Sequence, residues 1–112
     1  MDIELAAKQL DALGSATRLT VFHNVVRAGR SGISVRRLQE QVGVASASTL
    51  SHHLQRLVAA GLVAQERRST TLICRADAMV IRGLTAFLLE GSEAAGQHAD
   101  AFPPEASTES RA

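Results

Sequence analysis

A chain of 112 residues with 46% hydrophobic and 21% charged content has the size and composition of one globular domain. Its single cysteine excludes both an intramolecular disulfide and a thiolate cluster of the zinc-finger kind. The formal net charge is only +1, but residues 15–75 hold nine arginines against Glu40 and Glu66, a net +7, while residues 1–14 carry −2 and residues 76–112 carry −4. A basic centre between acidic ends suits a surface that meets a polyanion. No run of about 18 uncharged apolar residues is present. The opening stretch MDIELAAKQL is acidic and amphipathic where a secretory signal is basic and then apolar. A cytoplasmic protein with no membrane partner is expected.

Residues 2–13 place Ile3, Ala6, Ala7, Leu10 and Leu13 at helical spacing, which predicts a first helix ending at Gly14. Ser15 then caps a second helix to about Ala28, with Leu19, Phe22, Val25 and Val26 inward and Gly29 closing it. His23 borders that stripe as a surface imidazole. After the loop RSGI, Ser34 caps a short helix, SVRRLQEQVG. Val35, Leu38 and Val42 form its buried side, and Arg36, Arg37 and Glu40 its wet side. The turn VASAS leads into TLSHHLQRLVAA, which Gly61 stops. Two short helices joined by a small-residue turn make a helix-turn-helix pattern.

On a wheel of about 100° per residue, Leu50, Leu54 and Leu57 fall together as a buried seam. Ser48, Thr49, His52, Gln55 and Arg56 gather opposite, and His53 lies at the margin. Hydroxyls, an amide, an imidazole and a guanidinium are what a major groove accommodates: compact groups for base edges and arginine for guanine or phosphate. A metal site on His52 and His53 does not fit the same wheel. Adjacent helical residues diverge by about 100°, whereas paired ligands stand four apart. No metal and no cofactor are expected.

Beyond this helix, Leu62–Gln65 and Thr71–Arg75 read as two strands around a polar tip, ERRST. A hairpin directly after the second helix of such a pair is a wing. A last helix, about Asp77–Glu90, carries Val80, Ile81, Leu84, Phe87 and Leu88 along one broad face. Residues 92–112 are small, acidic and proline-containing, the composition of a disordered tail in which His98 has no evident role, so the folded domain is expected to span residues 1–91.

Three stretches together carry a family resemblance. LGSATRLTVFHNV resembles the second helix of ArsR/SmtB-type winged helix-turn-helix repressors, STLSHHLQRLVAAGLV resembles their recognition helix, and QERRSTTLICRAD resembles their basic wing. The resemblance covers about residues 10–90. It implies a mainly α fold with a small β-hairpin, ordered α-α-α-α-β-β-α, and a homodimer formed through the first and last helices. The implied partner is double-stranded operator DNA, held by a repressor that an effector releases. On these positions Ser48, Thr49, Ser51, His52 and His53 fall where the recognition helix meets DNA, and Arg67 and Arg68 fall in the wing. Phosphate contacts are expected from Arg36, Arg37, Arg56, Arg67 and Arg68, and base discrimination from Ser48, Thr49, His52 and Gln55.

The residues that metal-sensing relatives use are missing. The third helix begins Ser34-Val35-Arg36 where a CxC-type pair is typical, the last helix has no histidine, and Gly91-Ser92-Glu93 stands where paired cysteines end it in some arsenic-responsive members. The effector is therefore an open question: an organic molecule, or a metal held by other residues. Cys74, in the second wing strand beside Leu72, is a candidate redox residue if Arg75 lowers its pKa, or else a buried apolar filler. The chain has no nucleophile-base-acid set or phosphate loop, so it is not expected to be an enzyme. The alternative to a DNA-binding regulator is a winged-helix dimer whose basic surface serves an acidic protein partner.

Overall fold

Hydroxyl and carboxyl caps divide the chain into its helices. In the computed structural model, which describes residues 1–44 and 46–92, α1 spans Ile3–Leu13 and starts where Asp2 accepts the amide of Leu5 at 2.7 Å. Helix α2 spans Ala16–Arg27 behind Ser15, which accepts the Arg18 amide. A 3-10 turn, Gly29–Ser31, leads to the two-residue strand β1, Ile33–Ser34. Ser34 then caps α3, Val35–Val42, and Ser46 caps α4, Ala47–Ala59. Each such cap satisfies an amide that the helix itself leaves without a partner. Strands β2, Val63–Arg68, and β3, Thr71–Ala76, follow, and α5, Ala78–Leu88, starts at Asp77. Residues 93–112, with the proposed tail and His98, lie outside the described residues.

The end of α4 fixes the start of the wing. Gly61 takes φ +80, its amide donates to Val58 O, and the Leu62 amide reaches back to Leu57 O at 3.0 Å. These paired bonds close a helix on a left-handed residue and turn the chain sharply. Leu62 is thereby buried, and β2 leaves at once to pair with β3.

The sheet is antiparallel with three strands in the order β1-β3-β2. For the first of these the sequence predicts the end of a loop at Ile33 and a helix cap at Ser34. Two residues are too few to show an alternating pattern, and Ile33 and Ser34 become a strand only because β3 pairs with them, Ile33 opposite Cys74 and Ser34 opposite Ile73. The expected tip ERRST is also shorter than read. Glu66, Arg67 and Arg68 stay in the ladder, and the turn is Ser69-Thr70 between the paired Arg68 and Thr71. Ser69 has φ +58, the positive first position of a tight hairpin turn matched to strand twist.

The core lies where α2, α3 and α4 meet the sheet. Val21, Val25, Leu38, Leu50, Leu54, Leu57, Leu62 and Cys74 are fully or almost fully buried there. Each such leucine or valine contributes about 1.5–3 kcal/mol of transfer free energy. The three leucines of α4 are the seam expected from the wheel. Elsewhere the inward faces differ from expectation. In α2, Leu19 and Val26 are exposed and Val21 is buried instead. In α1, Ala6, Gln9 and Ala12 face the core, while Ile3 and Leu10 of the expected stripe remain exposed. In α5, Leu84 is buried but Leu88 is 55% exposed. The apolar arcs of these helices are wider than one core can cover, so the smaller residues pack inward and larger ones stay outside.

Candidate nucleic-acid interface

Helix α4 is held from below and from its ends. Its leucine seam is buried, and Gln9 of α1, itself 1% exposed, donates from Nε2 to Ala60 O at 3.1 Å. At the other end Ser46 does more than cap. Its Oγ accepts the Thr49 amide at 3.1 Å, lies 2.8 Å from Thr49 Oγ1, and lies 3.2 Å from Ser48 Oγ. The opening hydroxyls thus form one network. Ser46 was not among the sequence-level candidates, although a serine immediately before the first helical residue is the signal that marks it.

With the seam down, the opposite half of α4 faces solvent. Ser48, Thr49, Ser51, His52, Gln55 and Arg56 are exposed, and His53 is half-buried. The two imidazoles lie 6.2 Å apart between ring centres and are tilted by 57°. Among the described residues, the buried Nδ1 of His53 has no hydrogen-bond partner. Burial, reinforced by the charges of Arg18, His52 and Arg56, pushes its pKa below the usual value.

The arginines are not equivalent. Arg56 Nη2 is 3.0 Å from Asp11 Oδ2, so α1 holds this guanidinium of α4 through a largely exposed ion pair. Arg36 and Arg37 are exposed at the start of α3. Arg67 and Arg68 are both exposed on β2, but neighbouring strand residues point to opposite faces. On the face of Arg68, Glu66 approaches Arg68 Nε at 3.5 Å and Arg75 Nη1 at 2.6 Å. The Arg75 hydrogen bond is the main reason that the Glu66 carboxyl titrates below its ordinary range. Arg67 lies across the ribbon from this cluster.

Cys74 is completely buried, and burial raises the pKa of its thiol against a weak hydrogen bond from Gln65 Nε2 at 3.6 Å. Arg75 does not lower it: as the next residue of β3 it points to the other face of the sheet, where it meets Glu66 and Arg30 O. Among the described residues, no three histidine, cysteine, aspartate or glutamate side chains gather into a metal-holding group, and no helix is long and apolar enough to cross a membrane.

The helix-turn-helix domain family matches residues 13–66. Among solved structures, the chain is similar to NolR from Sinorhizobium fredii, with 30% identity over 78% of this chain and 83% of that one and a TM-score of 0.62. It is similar to an ArsR-like transcriptional regulator from Rhodococcus sp. RHA1, with 26% identity over 88% of each chain and a TM-score of 0.70. The transcriptional repressor BigR from Xylella fastidiosa matches at 26% identity over 76% of this chain and 84% of that one, with a TM-score of 0.58. No curated protein sequence matches the chain.

Proposed function

The chain belongs to the ArsR/SmtB-type family of winged helix-turn-helix transcriptional regulators, and from that premise we propose that it is a homodimeric repressor that binds operator DNA sequence-specifically and is released by an effector. The observation that carries this reading is the two-sided character of α4. A fully buried leucine seam fixes the helix, and an unbroken polar face with Ser48, His52 and Gln55 stands open to solvent. A protein interior has no use for such a face, whereas base edges in a major groove offer it partners. In this reading Ser48, Thr49, His52 and Gln55 supply discrimination, with Ser51 and His53 beside them where the helix meets DNA. Arg36, Arg37, Arg56, Arg67 and Arg68 neutralise phosphates.

The dimer is supported by apolar residues that the single chain leaves uncovered. Helices α1 and α5 lie against each other and expose Ile3 at 68%, Met79 at 75% and Leu88 at 55%, together with Leu10 and Leu89. Large uncovered apolar residues on adjacent elements mark an association surface, and a symmetric pair through this end would present two copies of α4 to successive major grooves about 34 Å apart.

Selection of bound genomic fragments tests the reading. It predicts recovery of a small set of fragments that share an inverted repeat. Recovery of no preferred fragment would instead support the protein-interaction module.

A further inference from the structure

We propose that the groove between α2 and α3 is a binding site for a small organic oxyanion, a carboxylate or phosphate ester with an apolar portion. The groove has a volume of about 620 Å3 and is lined from α2 by Asn24 and Arg27, from β1 by Ile33 and Ser34, and from α3 by Arg37 and Gln41. That volume lies within the ordinary range for small-molecule sites. Arg27 and Arg37 enter from different helices, and among the described residues neither has a carboxylate partner. Both guanidiniums line the one groove, and each can offer a planar pair of donors to a carboxylate or phosphate.

The remaining polar groups suit the same ligand. Ser34 Oγ accepts the Arg37 amide at 3.1 Å and retains its own proton to donate. Asn24 uses its amide nitrogen to reach Thr20 O at 2.8 Å, which leaves a second N–H on that nitrogen. Gln41 supplies a further amide. Ile33, 6% exposed, and Ala28 give the cavity an apolar side, which distinguishes an organic anion from a bare inorganic one. Gly32 holds this wall in place at φ +75, with Ile73, Cys74 and Arg75 packed directly behind it.

The site has a consequence for regulation that rests on the DNA-binding reading given above. Arg37 is also one of the guanidiniums assigned to the DNA backbone, so an anion held in the groove competes with phosphate for it and weakens DNA binding.

The test titrates the free protein with phenyl phosphate, benzoate and inorganic phosphate while NMR follows the side-chain N–H signals of Arg27, Arg37, Asn24 and Gln41. The expected result is saturable movement of these signals with phenyl phosphate or benzoate, the stronger of the two identifying the head group, and weaker binding of inorganic phosphate. Arg27→Ala and Arg37→Ala should each weaken binding by about tenfold, the loss of one charge-assisted contact, while Arg82→Ala on α5 leaves it unchanged. Movement spread over all arginines, insensitivity to Arg27→Ala, or no saturable movement with either phenyl phosphate or benzoate overturns the site. Because no DNA is present in the titration, failure to find an operator would leave this result standing. Saturation by phenyl phosphate or benzoate with no loss of affinity for a bound DNA fragment overturns the competition for Arg37.

Discussion

At Gly32 the backbone takes φ +75, and an added methyl group would stand 2.8 Å from Cys74 O and 2.7 Å from Ile73 Cγ2. The first contact is with backbone in the centre of the sheet, which cannot yield without disturbing the β1-β3 pairing. Gly32→Ala is therefore expected to cost about 1–3 kcal/mol from the backbone conformation, with the clash added to it. Urea denaturation measures this, and an unchanged midpoint would contradict the packing described. His53 makes a separate prediction. At pH well above about 6.5 it is neutral in folded and unfolded chains, so it gives no pH dependence there. As pH falls through about 6.5, the unfolded chain binds a proton that the folded protein resists, because burial and neighbouring charges depress the folded pKa. Stability is then lost until the depressed pKa is passed, below which the loss levels off. His53→Gln should flatten the stability profile as pH falls through and below about 6.5, and an unaltered slope would show that the pH dependence has another source.

Among the elements, α4 shows what a sequence pattern conveys and what it cannot. Its buried seam and open polar face follow from helical spacing alone, because three leucines one turn apart can only line one side. The tether on Arg56 does not, since Asp11 lies forty-five residues away and meets it only when α1 crosses α4. The strand β1 is similarly silent in the sequence, its pairing supplied entirely by β3. The separation of Arg67 from Arg68, by contrast, was available from strand alternation once the hairpin tip was shortened to Ser69-Thr70. The Asp11 contact has a functional consequence in the DNA-binding account. DNA phosphate and the Asp11 carboxylate compete for one guanidinium, so Asp11→Asn should raise affinity for all DNA sequences alike and steepen the dependence on salt by about one phosphate contact. Fluorescence anisotropy at several salt concentrations measures both effects. A change confined to one sequence would place Arg56 on a base instead.

For the whole molecule, the order of helices and wing was legible because caps, glycines and hydrophobic periods punctuate the chain. The inward faces of α1, α2 and α5 were less so. A wheel reports which residues are apolar, not whether core or partner covers them, and in α1 the alanines and Gln9 pack inward while Ile3 and Leu10 remain outside. The same ambiguity becomes a prediction about assembly. Leu10→Glu and Leu88→Glu replace side chains that the single chain does not bury, so each variant should keep its fold and sediment as a monomer where the unaltered protein sediments as a dimer. A dimer that survives both substitutions would place the interface elsewhere.

If α4 reads bases while the arginines supply affinity without discrimination, the two roles separate when the preferred DNA sequences of the unaltered protein, Gln55→Ala and Arg67→Ala are determined in parallel at several salt concentrations. Gln55→Ala should change the preferred bases and leave the salt slope alone, whereas Arg67→Ala should weaken binding to every sequence and lower that slope by about one. Unchanged base preference in Gln55→Ala with a changed preference in Arg67→Ala would contradict this division of roles.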